Sequence, residues 1–309
     1  MDPWGERHVR PQIYYSETRT MNFYRRRSLW GITFVLPAII FFIVFAYYPM
    51  ISAFRLSLTD YNLLSPPKDV GLANYDYIFH SDRFQKVLVN TFEFVGGYAI
   101  PMWILALALA MIFTQEFKGR GVYRTLYFVP IVLSETVISI VWRLLYHPQG
   151  AINALIAPFN GGFRVPWLTN PNIAPIAVIV VAIWRVFGYY MIIFITGLQN
   201  IPTEYYDAAK VDGGNRWQIF RLITLPLLRP TTVFVVVITL LNGFQSFVFQ
   251  FLITRGGPND STNVLGYLIY EEAFPNLNMG RAAAISMVLF AMLIVLTFIQ
   301  LYLLRQRYE

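Results

Sequence analysis

Six long, largely apolar stretches constrain this chain more than any other feature. They run at about 29–54, 88–113, 124–146, 173–197, 231–254 and 280–304. A helix needs roughly 20 apolar residues to cross the hydrocarbon core of a bilayer. Only helices and closed barrels satisfy their backbone groups in lipid, and these stretches lack the strict alternation of barrel strands. The expected fold is therefore an all-α integral membrane protein with six transmembrane helices. Only 13% of the residues are charged, against about a quarter in a soluble domain, so the 309 residues read as one membrane bundle and not as two soluble domains. Pro37, Pro49, Pro101, Pro130 and Pro175 lie in or near the helices, where they kink a helix or mark its end.

Six crossings put both ends of the chain on one side, and the basic residues select that side. With the termini fall the six arginines between Arg7 and Arg27, then Lys118, Arg120 and Arg124, then Lys210, Arg216, Arg221 and Arg229, then Arg305 and Arg307. The opposite side holds far fewer, among them Lys68, Arg83, Lys86, Arg164 and Arg255. The positive-inside rule then places both termini in the cytoplasm of a multi-pass plasma or inner membrane protein. The net charge of +7 belongs to these loops; no basic patch interleaved with aromatics points to nucleic acid. The first apolar stretch follows Arg25-Arg26-Arg27 but is much longer than a signal-peptide core and has no A-x-A site after it, so it reads as a retained helix. The expected organisation is a cytoplasmic N-terminal tail over 1–28 and a six-helix transmembrane domain over 29–309. There is no cysteine, which excludes disulfides and thiolate metal sites. His8, His80 and His147 are scattered without metal-ligand spacing. No catalytic or metal site is assigned, and the chain is not expected to be an enzyme.

The longest polar interruption on the cytoplasmic side spans about 198–230. Thr203–Val211 reads as a short helix, with Thr203 as its N-cap and Glu204 and Asp207 suited to its positive end. Ala208 and Ala209 are small enough for a partner to approach closely. Gly213 supplies a positive φ that ends the helix. Asn215 caps a second segment running to Ile223, and Leu225-Pro226 leads into the fifth long helix.

In this segment Asp207-Ala208-Ala209 is followed after three residues by Gly213 and after nine more by Ile223, Thr224, Leu225 and Pro226. The pattern resembles the E-A-A-x3-G-x9-I-x-L-P loop of ABC importer permeases, with Asp207 in place of the family's Glu. Further stretches resemble the carbohydrate-uptake branch of the type I permeases, of the first-permease kind. They are Gly71-Leu72-Ala73-Asn74-Tyr75, Gly119-Arg120-Gly121 with Arg124-Thr125, Gly150, Asn153 and Trp167-Leu168, and Thr254-Arg255-Gly256-Gly257-Pro258 with Thr262. The resemblance implies a type I importer permease fold in membrane lipid and a sugar or oligosaccharide as cargo. It also implies a second homologous permease as heterodimer partner, two ATP-binding cassette ATPases and an extracytoplasmic sugar-binding protein. ATPase coupling would then fall to Glu204, Asp207, Ala208, Ala209, Gly213, Ile223, Leu225 and Pro226. ATP and Mg would be used by the partner ATPases; this chain has no G-x-x-x-x-G-K-[ST] phosphate loop and is expected to bind no cofactor.

Polar side chains inside membranes face protein or a water-filled path. Helix five carries Asn242, Gln245, Ser246 and Gln250 at spacings near one helical face, with Phe244, Phe247 and Phe249 between them. Helix four carries Trp184, Arg185, Gly188, Tyr189 and Tyr190. In the resembled family these two helices line the sugar site, which makes Trp184, Tyr189, Asn242, Gln245, Ser246 and Gln250 the candidate pathway residues; hydrogen bonding between helices is the other reading. Glu93, Glu135, Arg143 and Arg185 stand at or inside helices and either form structural ion pairs or mark a proton path. The latter belongs to the alternative function, a proton-coupled secondary transporter. The small stripe Ala282-Ala283-Ala284 with Ser286 suits close helix contact within this chain or with a partner.

Overall fold

A computed structural model describes residues 31–159 and 161–305; the N-terminal tail lies outside them. The described chain falls into two compact units divided after Ser52. Helix α1, Gly31–Ser57, is apolar along its length, and none of its residues from Gly31 to Ile51 is buried.

The second unit begins with a correction to the purely helical expectation. Thr59–Asp60 (β1) pairs antiparallel with Lys68–Asp69 (β2). Helix α2, Ala73–His80, follows, and Ser81 then caps the long α3, Asp82–Thr114. Asn74 explains the local order here: its buried amide donates to the carbonyls of Ser57 and Thr59, while the Tyr75 hydroxyl meets Ser57 Oγ at 2.8 Å. Asn74 and Tyr75 thus staple α2 to the end of α1.

α3 packs chiefly against α7, Ala174–Gln199. Ala99, Ala106 and Ala110 on one side and Ala177 and Ala182 on the other are buried, and such small residues let membrane helices approach closely. α4, Arg120–Val132, crosses α7 at Gly188, where a Cβ would lie 1.8 Å from the Tyr127 carbonyl oxygen. Only hydrogen fits at that crossing.

The expected continuous helix over 124–146 is broken. α4 ends at Val132, Leu133 is extended, and α5, Glu135–Leu145, departs at 99°. Pro130 offers no N–H in the last turn of α4, and Ser134 restarts the chain by accepting from the Thr136 N–H. A short helix α6, Ala151–Ile156, lies in the following loop, which is organised by the buried Asn153. Its side chain donates to the Val165 carbonyl and accepts from Val165 N–H and Trp167 Nε1.

After α7 come α8, Thr203–Val211, and α9, Arg216–Leu227; the chain then bends by 67° into α10, Arg229–Phe244. The expected helix over 231–254 is also interrupted. α10 stops at Phe244, residues 245–247 are non-helical, and the chain then rewinds into the wide turn Gln250–Thr254. The loop after Thr254 holds a helix of its own, α11, Leu265–Ala273. α12, Met279–Arg305, completes the described chain, and α11 packs closely on it. Ala282, Ala283 and Ala284 are buried within this unit, so the small stripe serves packing inside the chain. Among the described residues, four helices are long and apolar enough to cross a membrane alone, and up to six if each bent pair is one span.

Candidate functional site

Two regions present polar groups that packing of this chain alone does not consume. The first surrounds the interruption at 245–247. A cavity of about 350 Å³ is walled by Phe94 and Tyr98 of α3, Glu135 of α5, Ala182, Arg185 and Val186 of α7, and Asn242, Gly243 and Gln245 through Phe249. Three breaks or close approaches create it. The bend after Val132 puts Glu135 at the start of α5. Gly243 sits beside Val95 and Tyr98, 3.3 Å and 3.4 Å from where its Cβ would be. The end of α10 turns Gln245 and Ser246 inward instead of continuing the helix. Across the cavity wall Arg185 Nη1 and Glu135 Oε1 form an ion pair at 2.9 Å.

Of the six candidate pathway residues, Asn242, Gln245 and Ser246 line this cavity; Trp184, Tyr189 and Gln250 lie outside its lining. Trp184 stacks edge-on against Trp142, and Tyr189 against Tyr190. Gln250 is fully buried, and its Oε1 accepts from Ser246 Oγ at 3.0 Å. The argument that these residues share one helical face fails because the helix ends between them. Asn242 also donates to the Tyr190 hydroxyl at 3.2 Å. The contributions of Phe94, Tyr98 and Glu135 to the wall had no sequence signal beyond their being aromatic or charged within apolar runs. Glu93 and Arg143 have no ion-pair partner among the described residues.

The second region is the α8–α9 segment. Pro202, extended at φ −57° and ψ 137°, takes the N-cap position, so Thr203 is the first helical residue and does not cap. Glu204 is in the first turn, and Asp207 pairs with Lys210 at 2.9 Å on an exposed face. Gly213 has φ +77° with open space around it, and Asn215 and Gln218 form a capping box at the start of α9. Ile219 leads into a wider π-helical turn, Phe220–Thr224, which contains Ile223; Leu225 and Pro226 follow before the bend. The segment is fixed from below by Tyr206, whose ring packs on the cluster of Leu198, Ile201 and Leu228 and whose hydroxyl accepts from Thr224. Its outer face stays bare. Val211 is 88% exposed and Trp217 65%. Exposed apolar and aromatic side chains on a polar segment mark a contact surface, and the sequence pattern alone did not single out these two. A groove of about 950 Å³ runs between this segment and the end of α3, lined among others by Thr114, Glu116, Tyr206, Asp207, Arg216 and Phe220.

Comparison with known proteins identifies the chain's family. Residues 72–308 match the family described as "Binding-protein-dependent transport system inner membrane component". The chain is 35% identical over 280 residues to the probable ABC transporter permease protein YesP of Bacillus subtilis, covering 89% of this chain and 90% of YesP. It is 34% identical over 283 residues to the lactose transport system permease protein LacF of Rhizobium radiobacter, covering 90% and 94%. Among solved structures, a chain of a bacterial ABC transporter involved in import of the acidic polysaccharide alginate superposes with a TM-score of 0.80 at 23% identity, covering 94% of this chain and all of that one. At that identity the likeness establishes the fold.

Proposed function

This chain belongs to the inner membrane components of binding-protein-dependent transport systems and is a permease subunit of an ABC importer; from that premise we propose that its cargo is a sugar or oligosaccharide and that it forms half of the translocation pathway. It crosses the membrane six times, each bent helix pair counting as one span, with both termini in the cytoplasm. The excess of lysine and arginine on the terminal side supports that orientation. Residues 1–28 form a cytoplasmic tail and 29–309 the permease domain. The other half of the pathway comes from a second permease, ATP is bound and hydrolysed by two partner ATPases, and an extracytoplasmic binding protein delivers the cargo.

The observation that carries the coupling role is the α8–α9 segment. It is anchored to the bundle through Tyr206 and exposed over Glu204, Asp207, Ala208, Val211 and Trp217. Glu204, Asp207, Ala208 and Ala209 meet the ATPase, Gly213 sets the angle between the two helices, and Ile223, Leu225 and Pro226 carry the motion into α10. Cargo passes along Asn242, Gln245 and Ser246, with Trp184, Tyr189 and Gln250 supporting the wall. Amides donate to and accept from hydroxyls, and Phe247 and Phe249 offer faces to a pyranose ring. The carbohydrate reading is also supported by the relatives, several of which are named as permeases for lactose, multiple sugars or arabinooligosaccharides.

Reconstitution tests it. Proteoliposomes holding both permeases and the ATPases, supplied with the binding protein and ATP, are expected to accumulate the binding protein's sugar, and to lose uptake when the ATPases are omitted. Uptake by this chain alone, driven by a proton gradient, would sink the proposal and favour the secondary transporter.

A further inference from the structure

The Glu135–Arg185 pair is the one full ionic contact in the cavity wall. It joins the start of α5, just beyond the break at Leu133–Ser134, to the middle of α7. Neither group is sealed away: the Arg185 side chain is 22% exposed and that of Glu135 34%. Arg185 also has a buried Nε with no hydrogen-bond partner. An ion pair at membrane depth is costly to desolvate, and an apolar pair would pack a purely structural junction as well or better. What the pair supplies that an apolar junction cannot is a carboxylate acceptor beside a guanidinium donor, facing Asn242, Gln245 and Ser246 across the same cavity.

We infer that Glu135 and Arg185 act as a charge filter, selecting an uncharged polyol over a carboxylated or aminated one at this point of the pathway. A hydroxyl-bearing ring leaves the pair intact: one hydroxyl donates to the Glu135 carboxylate and a neighbouring hydroxyl oxygen accepts from the guanidinium. A carboxylated ring must instead compete with Glu135 for Arg185, and it brings a second negative charge within a few ångströms of the first. An ammonium-bearing ring repeats the conflict with Arg185. The oppositely charged member of the pair offsets part of each like-charge repulsion, and in a site of reduced dielectric the remainder weakens binding by about tenfold. The inference rests on the carbohydrate reading above and narrows it to neutral sugars at this chain's half of the cavity.

The test is equilibrium binding to the purified assembly of permeases and ATPases, without the binding protein so that its own selectivity does not intervene. The probes are lactose, maltotriose, an alginate trisaccharide and a chitosan trisaccharide. Wild type is expected to prefer the neutral sugars. Glu135→Gln should shift the ratio of alginate to neutral binding upward by about tenfold, and Arg185→Gln should shift the chitosan ratio in the same sense. The exchanged pair E135R/R185E, which restores an ion pair if the single variants assemble poorly, should regain neutral preference. Neutral sugars bound by all variants with unchanged charge ratios would overturn the filter while leaving the carbohydrate reading intact. Wild type favouring the alginate or chitosan trisaccharide over both neutral sugars would likewise overturn the filter alone, whereas failure of the binding-protein-dependent sugar uptake in the reconstitution above would remove the carbohydrate reading and the filter together.

Discussion

The loop after α10 and the α8–α9 segment are both polar stretches beside apolar helices, yet they use their polar groups in opposite ways. In the former nearly everything is closed on the chain itself. Thr254 and Thr262 share a hydrogen bond of 2.6 Å, and Thr262 also donates to the Gly257 carbonyl. Arg83 grips both Asp260 oxygens and Glu271, Lys86 donates to the Asn259 carbonyl, and Asn90 donates to the carbonyls of Asp260 and Asn263. In the α8–α9 segment the bonds are local: a cap, a turn and one exposed i,i+3 pair. A segment that satisfies its side chains internally is architecture. One that leaves an aromatic and apolar face bare, as Trp217 and Val211 do, suits the partner contact proposed for it.

Substitutions on the two sides should therefore separate stability from coupling. The largest effect is expected on the outer side at Gly280, where a Cβ would lie 2.0 Å from the Thr59 carbonyl oxygen. Gly280→Ala must push α12 away from the β1 strand at a cost of about 3 kcal/mol, read as a lowered thermal midpoint of the purified permease. Gly213→Ala, in open space, costs only the positive φ, about 1 kcal/mol. Equal losses at the two glycines would erase the contrast.

Next comes Arg83→Ala, expected to destabilise by about 1–2 kcal/mol, less than a fully buried pair because the guanidinium is 39% exposed. It carries a pH signature. The hydrogen bond from Arg83 holds the Asp260 carboxyl below its ordinary 3.8. A depressed carboxylate contributes stability that is complete above its unfolded value and is lost as pH falls through the folded one. Wild type should thus lose this increment only below about pH 4, and Arg83→Ala should lack that acid limb in thermal scans between pH 7 and 3.

On the inner side, Asn215→Ala removes the capping box of α9, worth about 1 kcal/mol locally. It should lower coupled ATPase activity more than the thermal midpoint. The smallest effect on the fold is expected for Asp207→Arg, within about 0.5 kcal/mol because its partner Lys210 is exposed. The same change should weaken ATPase association at least tenfold, measured by co-purification. Retained association would show that the DAA face is not the contact.

The inner segment was readable from sequence because its determinants are local. Gly213 must adopt positive φ, Asn215 must cap, and the small Ala208 and Ala209 repeat a known spacing. The same locality misled at Thr203, where Pro202 was the better cap. The cavity was only half readable. Asn242, Gln245 and Ser246 stood out as amides and hydroxyls in an apolar run. The break at Leu133–Ser134 was foreshadowed by Pro130, which kinks a helix or marks its end, but the interruption at 245–247 left no mark, because an apolar run looks the same whether it bends or continues. Those breaks are what bring Glu135 to Arg185, fifty positions away, and what withdraw Gln250 from the wall. The six-span count rests on the apolar stretches, and the cytoplasmic placement of the termini on the distribution of charge.

The chain has no cysteine, so a single one reports without background. The most direct test of the account is Ala208→Cys, labelled with a membrane-impermeant maleimide in right-side-out and inverted vesicles, with and without the partner ATPases. Labelling only in inverted vesicles, and protection when the ATPases are bound, is the predicted result. Labelling from the outside, or equal labelling with and without the ATPases, would contradict the assignment of this segment as the coupling surface.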